Sequence, residues 1–143
     1  MQKGDWIGLV IVGGMLTAIG LFLLLAKQVP QVTYAPVEIT GTSVSATAVA
    51  GEPTVHLSAE VKQPSFIAIH QALGDAPGPV IGHSPLIAVG THENLTVETT
   101  EALQTGTDYF VLMFADDGDG VFEAGVDLPI MSGGQVVKQR LSL

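Results

Sequence analysis

The chain has 143 residues, no cysteine and a formal charge of −9. Without cysteine there is no disulfide framework, no thiolate metal site and no cysteine nucleophile, so any folded part must be held by its own apolar core. Residues 28–143 carry thirteen acids against only Lys62, Lys138 and Arg140, a balance that repels phosphate backbones and anionic headgroups, so nucleic acid is excluded as a partner while cations and basic partners stay open.

The first element is WIGLVIVGGMLTAIGLFLLLA, Trp6 to Ala26, uncharged and with Thr17 as its only polar side chain. At about 1.5 Å per residue it spans the roughly 30 Å hydrocarbon layer, and it predicts one transmembrane helix over residues 6–27 behind a short cytoplasmic tail, 1–5. Trp6 and Lys27 mark the two interfaces as membrane anchors, and Pro30 stops the helix. A removed signal sequence would have an apolar stretch of about 7 to 15 residues and a small-x-small end. This run is longer and ends LLLAKQ, so an uncleaved anchor is expected.

Gly13, Thr17 and Gly20 share one face of that helix, and Gly14 with Ala18 forms a neighbouring small-xxx-small pair. Such a stripe lets another transmembrane helix approach closely, although glycine is also simply common in these helices. The large acidic domain places the N-terminus inside and the C-terminal part outside. Gly41 to Pro53, rich in Ser, Thr, Ala and Val, reads as the end of an extended tether over 28–53.

From Thr54 the pattern is all-β. TVHLSAEV alternates Val55, Leu57, Ala59 and Val61 against His56, Ser58 and Glu60, and SFIAIH alternates Phe66, Ala68 and His70 against Ile67 and Ile69. GDAPGP at 74–79 reads as a long turn, VIGHSPLIAVG as a strand broken at Ser84–Pro85, and NLTVETT as another alternating strand. TDYFVLMFA is apolar on both faces, as a central strand is, and QVVKQRLSL closes the chain with Val137, Gln139 and Leu141 on one side. About seven strands over 54–143 suffice for an immunoglobulin-like antiparallel β-sandwich.

Three segments, FIAIHQ, VIGHSPLIAVGTHENLTV and YFVLMFADDGDGVFEAGVDLPI, resemble a family of small secreted or membrane-tethered β-domains common in haloarchaea and other extremophile prokaryotes. The family pattern G-x-S-x-x-L-x-x-G-x-H-x-N-x-x-V falls on Gly82, Ser84, Ile87 in the apolar slot, Gly90, His92, Asn94 and Val97. The resemblance covers Val55 to Leu143 and implies an immunoglobulin-like sandwich at the cell surface, without an activity. Members often carry a histidine before the Asp cluster, where this chain has Phe114–Ala115, so a metal role resting on that histidine does not transfer.

Asp116, Asp117, Asp119, Glu123 and Asp127 crowd one glycine-rich stretch. Oxygen ligands on a bent loop suit calcium, with Asp116, Asp117, Asp119 and Glu123 as the ligand set. An EF-hand register fails, because glycines or Val121 fall on ligand positions; an acidic hairpin turning on Asp-Gly is the competing reading. His56, His70, His83 and His92 with Met113 offer copper or zinc ligands but lack close spacing. Ser65 and Ser84 lie in no nucleophile elbow, and Asn94-Leu95-Thr96 is a glycosylation sequon.

The expectation is therefore a non-enzymatic single-pass membrane protein that displays its domain for protein interaction, as an accessory subunit of a membrane complex or an envelope component. Its partners are the lipid bilayer and other transmembrane helices or subunits; no cofactor is expected beyond calcium at the acidic loop. One alternative is a pilin-like filament subunit cleaved after Gly4. The other is a calcium- or copper-binding surface domain.

Overall fold

The structure, a computed structural model, describes residues 36–143. The anchor Trp6 to Ala26, its packing face and the tail before it lie outside the described residues; among the described residues no helix is long and apolar enough to cross a membrane. Ten strands follow one another: β1 Val37–Glu38, β2 Ser43–Ala48, β3 Thr54–Val61, β4 Ser65–Leu73, β5 Ala76–His83, β6 Gly90–Glu98, β7 Asp108–Ala115, β8 Leu128–Ser132, β9 Gln135–Val136 and β10 Lys138–Ser142. They form two sheets, one of three strands in the order β2-β3-β6 and one of seven in which β5-β4-β7 continues to β8 and β10 along the far edge of β7.

Alternation decides which side chains meet between the sheets. Val55, Leu57, Ala59 and Val61 of β3 and Val97 of β6 face Ile67 and Ile69 of β4 and Tyr109, Val111, Met113 and Ala115 of β7, all buried in one cluster. Val137 and Leu141 complete it, as the alternation of the last strand predicts. On its other face the larger sheet buries a second cluster, Ala68, Phe110, Leu112 and Phe114. The two-faced apolarity of β7 thus reflects burial on both sides, with Phe122 and the stems of Lys138 and Arg140 covering the outer one.

Three sequence expectations are corrected. The larger sheet is mixed and not wholly antiparallel, because β1 runs parallel to β8 with Val37 opposite Ile130. Gly41 to Pro53 is not tether: Ser43–Ala48 is strand β2, paired antiparallel with β3 from Ser43 opposite Glu60 to Ala48 opposite Val55. Its small side chains look like linker, but its free backbone edge is held by a residue far along the chain. The Gln139 side chain accepts from Ala46 N–H at 2.7 Å and donates to the Ala46 carbonyl at 2.9 Å, imitating a strand partner across the sheets.

The long turn at 74–79 is likewise shorter, since Gly74 and Asp75 alone make it and β5 begins at Ala76. Pro77 and Pro79 are tolerated because β5 is an edge strand with an irregular register against β4. At that irregularity His70 Nδ1 bonds the Gly78 carbonyl at 2.8 Å, replacing a ladder bond. The break at Ser84–Pro85 stands as expected, with an isolated bridge from Ile87 to Ser65 beyond it.

Cavity formation in the inner cluster is the costly lesion. Ile67→Ala, at a fully buried site, is expected to lower the unfolding free energy by about 2 to 5 kcal/mol in urea denaturation. Leu73→Ala, 68% exposed on β4, should stay within about 0.5 kcal/mol of the parent.

Candidate functional site

β7 ends at Ala115 and β8 begins at Leu128, so the acidic stretch is one loop joining two antiparallel neighbours. The connection is a long acidic hairpin loop between Ala115 and Leu128, which lie opposite one another. Its carboxylates hold its own backbone: Asp117 Oδ1 accepts from Asp119 N–H at 3.2 Å, Asp119 Oδ1 from Val121 N–H at 2.8 Å and Asp116 Oδ1 from Gly120 N–H at 3.0 Å. Gly118 and Gly120, with φ of 109° and 75°, supply left-handed turns that other residues resist. Phe122 then turns inward, with ring centroids 4.8 Å from His83, 5.4 Å from Phe114 and 5.6 Å from Phe66. The loop is pinned to the outer face of the larger sheet by that ring.

Two acidic groups result, Asp116 with Asp117 and Asp127, and Asp117 with Asp119 and Glu123; within each, one carboxylate oxygen per residue lies within 4.8 Å of the others. The four ligands expected from sequence are divided between these groups, Asp116 in the first, Asp119 and Glu123 in the second, and Asp117 shared by both. The fifth acid, Asp127, was outside that ligand set and is the buried one, 2% exposed. Its Oδ2 accepts from Glu123 N–H at 2.7 Å, while its Oδ1 is buried without a partner. Nothing in the sequence set it apart from the other acids of the loop. Asp117 is pushed up from the ordinary carboxylate range: the Asp119 N–H bond pulls it down, but partial desolvation and the charges of Asp119 and Asp127 outweigh that bond.

The histidines do not assemble. His56 and His92 belong to the three-stranded sheet, His70 and His83 to the other, and Met113 points between them into the inner cluster. Among the described residues no histidine enters a metal-competent group. His92 Nε2 instead bonds the Ala88 carbonyl at 2.7 Å. Burial pushes His70 below the ordinary imidazole range, against a weaker opposite pull from its Gly78 bond.

The motif residues from Gly82 to Val97 prove structural. A Cβ on Gly82 would collide with the Glu98 carbonyl, where β5 leaves one sheet beside the end of β6 in the other. Ser84 Oγ accepts from Ile67 N–H at 2.9 Å, Ile87 bonds Ser65 through both backbone groups, and Val97 is core. Asn94 has φ 60°, a left-handed position that asparagine tolerates, at an irregularity where Leu57 opposes Leu95 but Ala59 opposes His92. Ser65 and Ser84 are thus committed to backbone contacts.

That irregularity raises Glu93 and Asn94 as one wall of an open trough across the outer face of β2, β3 and β6. The trough, about 480 Å³, is lined by Ser45, Thr47, Ser58 and Thr96, with His56 on the central strand opposite both Thr47 and Thr96. A second depression of about 400 Å³ continues it past Ser43, Glu60, Thr91 and His92. Glu60 is held below the ordinary carboxylate range by Lys62 at 2.6 Å and by the Thr91 hydroxyl. Arg140 bridges Asp75, at 3.0 Å, and Asp108, and lies with Lys138 over the Phe110 ring. Every base of the domain is thereby engaged, and most acids have no base beside them.

The family described as Domain of unknown function (DUF7282) matches residues 40–142. No curated protein and no solved structure matches the chain.

The depressed imidazole of His70 gives a signed prediction. An unfolded chain takes up that proton below about pH 6.5 and the folded chain only at lower pH, so stability is full above about pH 6.5 and declines as pH falls from there toward the folded value. His70→Gln is expected to flatten this decline, read as a smaller difference between urea midpoints at about pH 7.5 and about pH 5.5. Asp108 and Glu60, held low by their basic partners, lose their contribution only in more acidic solution.

Proposed function

Since the chain belongs to this family of unknown function, and the matched residues 40–142 span β2 through β10, we propose that it is a single-pass membrane protein displaying an immunoglobulin-like sandwich outside the membrane for protein interaction. The strand order supports the fold assignment: β2-β3-β6 against β5-β4-β7-β10 is the three-plus-four arrangement of such domains. Tyr109, at the start of β7, accepts a hydrogen bond from Gln104 N–H at 2.9 Å, the local contact that marks the corner before the sixth strand of these sandwiches. The resemblance noted in the sequence implies a cell-surface domain of the kind common in haloarchaea, and a dense carboxylate surface that stays hydrated in salt is in keeping with that reading.

The observation that carries the interaction reading is the open trough over β2, β3 and β6. Its small hydroxyl side chains and the His56 imidazole offer many donors and acceptors, and Glu60 and Glu93 line it as well. A partner presenting a basic segment would be steered there by the net negative field of the domain. The anchor Trp6 to Ala26, with Gly13, Thr17 and Gly20 on one face, supplies a second contact within the bilayer. In this reading the chain is an accessory subunit or envelope component, with no catalytic residue.

Gentle-detergent purification from native membranes, with a photo-crosslinker at Ser58, is expected to yield a defined complex crosslinked through the trough. A chain that elutes alone and crosslinks to nothing would overturn the reading. Intact mass should show an N-terminus at Met1; a chain starting at Asp5 would establish the pilin-like alternative instead.

A further inference from the structure

We propose that the loop between β7 and β8 is a calcium site, with Asp116, Asp117 and the buried Asp127 as its carboxylate ligands. The reading is independent of where the domain is displayed or what docks in its trough. It starts from Asp127, 2% exposed, whose Oδ1 is enclosed without a hydrogen-bond partner while Oδ2 is occupied by Glu123 N–H. A buried carboxylate oxygen left unsatisfied is strongly unfavourable, and folds retain one when something outside the chain satisfies it.

A cation answers this and the neighbouring charges together. The carboxylates of Asp116 and Asp117 converge on Asp127 within 4.8 Å, and three anions at that separation repel one another unless a positive charge lies between them. The bases of the domain do not supply it, since Lys62 is committed to Glu60 and both Lys138 and Arg140 lie over Phe110. Asp117 also belongs to the exposed group with Asp119 and Glu123, which puts those two acids on the solvent side of the same site.

Calcium suits the site better than magnesium. The ligands are all oxygen, they come from an irregular loop, and calcium accepts six to eight such ligands in flexible geometry, whereas magnesium demands a near-ideal octahedron and sheds water reluctantly. Binding has a structural readout as well, because the same loop carries Phe122 onto Phe66, His83 and Phe114. An ion drawing Asp116 and Asp127 together fixes the two ends of the segment that holds this ring.

The test uses the full-length chain in mild detergent, stripped with chelator and titrated with calcium chloride by calorimetry and by thermal unfolding. Saturable binding of about one ion per chain and a Tm rise larger with calcium than with equal magnesium are expected. Asp127→Asn keeps the shape and removes the charge, so it should fold without calcium at a Tm no lower than the stripped parent and lose calcium affinity by about tenfold or more. Asp117→Asn, at an exposed ligand, should weaken binding in the same direction and guards against a misfolded Asp127 variant. Absence of binding at millimolar calcium, equal non-saturating heats with calcium and magnesium, or an undiminished Tm shift in both variants would each overturn the site.

Discussion

Burial of β7 on both faces is the constraint from which the rest of the domain follows. Tyr109, Val111, Met113 and Ala115 must meet the three-stranded sheet, while Phe110, Leu112 and Phe114 must be hidden on the other side, where no further sheet lies among the described residues. With no cysteine to staple the layers, apolar contact and a few side-chain bonds do all the joining. The outer face is therefore covered piecemeal. Aliphatic stems of Lys138 and Arg140 lie over Phe110, and the acidic loop folds back to lay Phe122 beside Phe114. The most polar segment of the chain owes its position to an apolar demand.

The same demand separates structural from chemical residues. Gly82, Ser84, Ile87, Asn94 and Val97 attract attention as a motif, yet each is explained by moving the chain from β5 in one sheet to β6 in the other: a glycine where two backbones nearly touch, a hydroxyl that satisfies Ile67 N–H, an apolar plug, a left-handed asparagine and a core valine. A shared pattern of this kind specifies a crossover, and it would be retained by domains with quite different partners. What is left for chemistry is the trough on the outer face of β2, β3 and β6 and the acidic loop at the end of β7, features built from side chains that the core does not use.

Strands with strict alternation were legible in the sequence. β3, the first part of β4 and β10 alternate as their period indicates, because a half-buried strand has one way to hide its apolar face, and β7 was legible as central from its apolarity on both sides. What escaped was whatever depended on distant partners. β2 looks like linker because Ser, Thr and Ala dominate it, and its edge is held by Gln139, 93 residues away from Ala46. The first half of β5 looks like a turn because of Pro77 and Pro79, which its edge position and the His70 ring make acceptable. Burial of Asp127 could not be read either, since composition weights all five acids of the loop alike. The spacing from Gln104 to Tyr109 was present in the sequence but acquires meaning only when the hydroxyl is seen to meet the backbone.

The Gln139 contact with Ala46 has a consequence beyond holding β2 in place. Exposed strand edges are templates on which another copy can add a strand. Here the Ala46 N–H and carbonyl that would start such a ladder are already occupied by a side-chain amide, and on the larger sheet Pro77 and Pro79 leave β5 two donors short. One edge of each sheet, β2 and β5, is thus closed to strand addition by an identical neighbour.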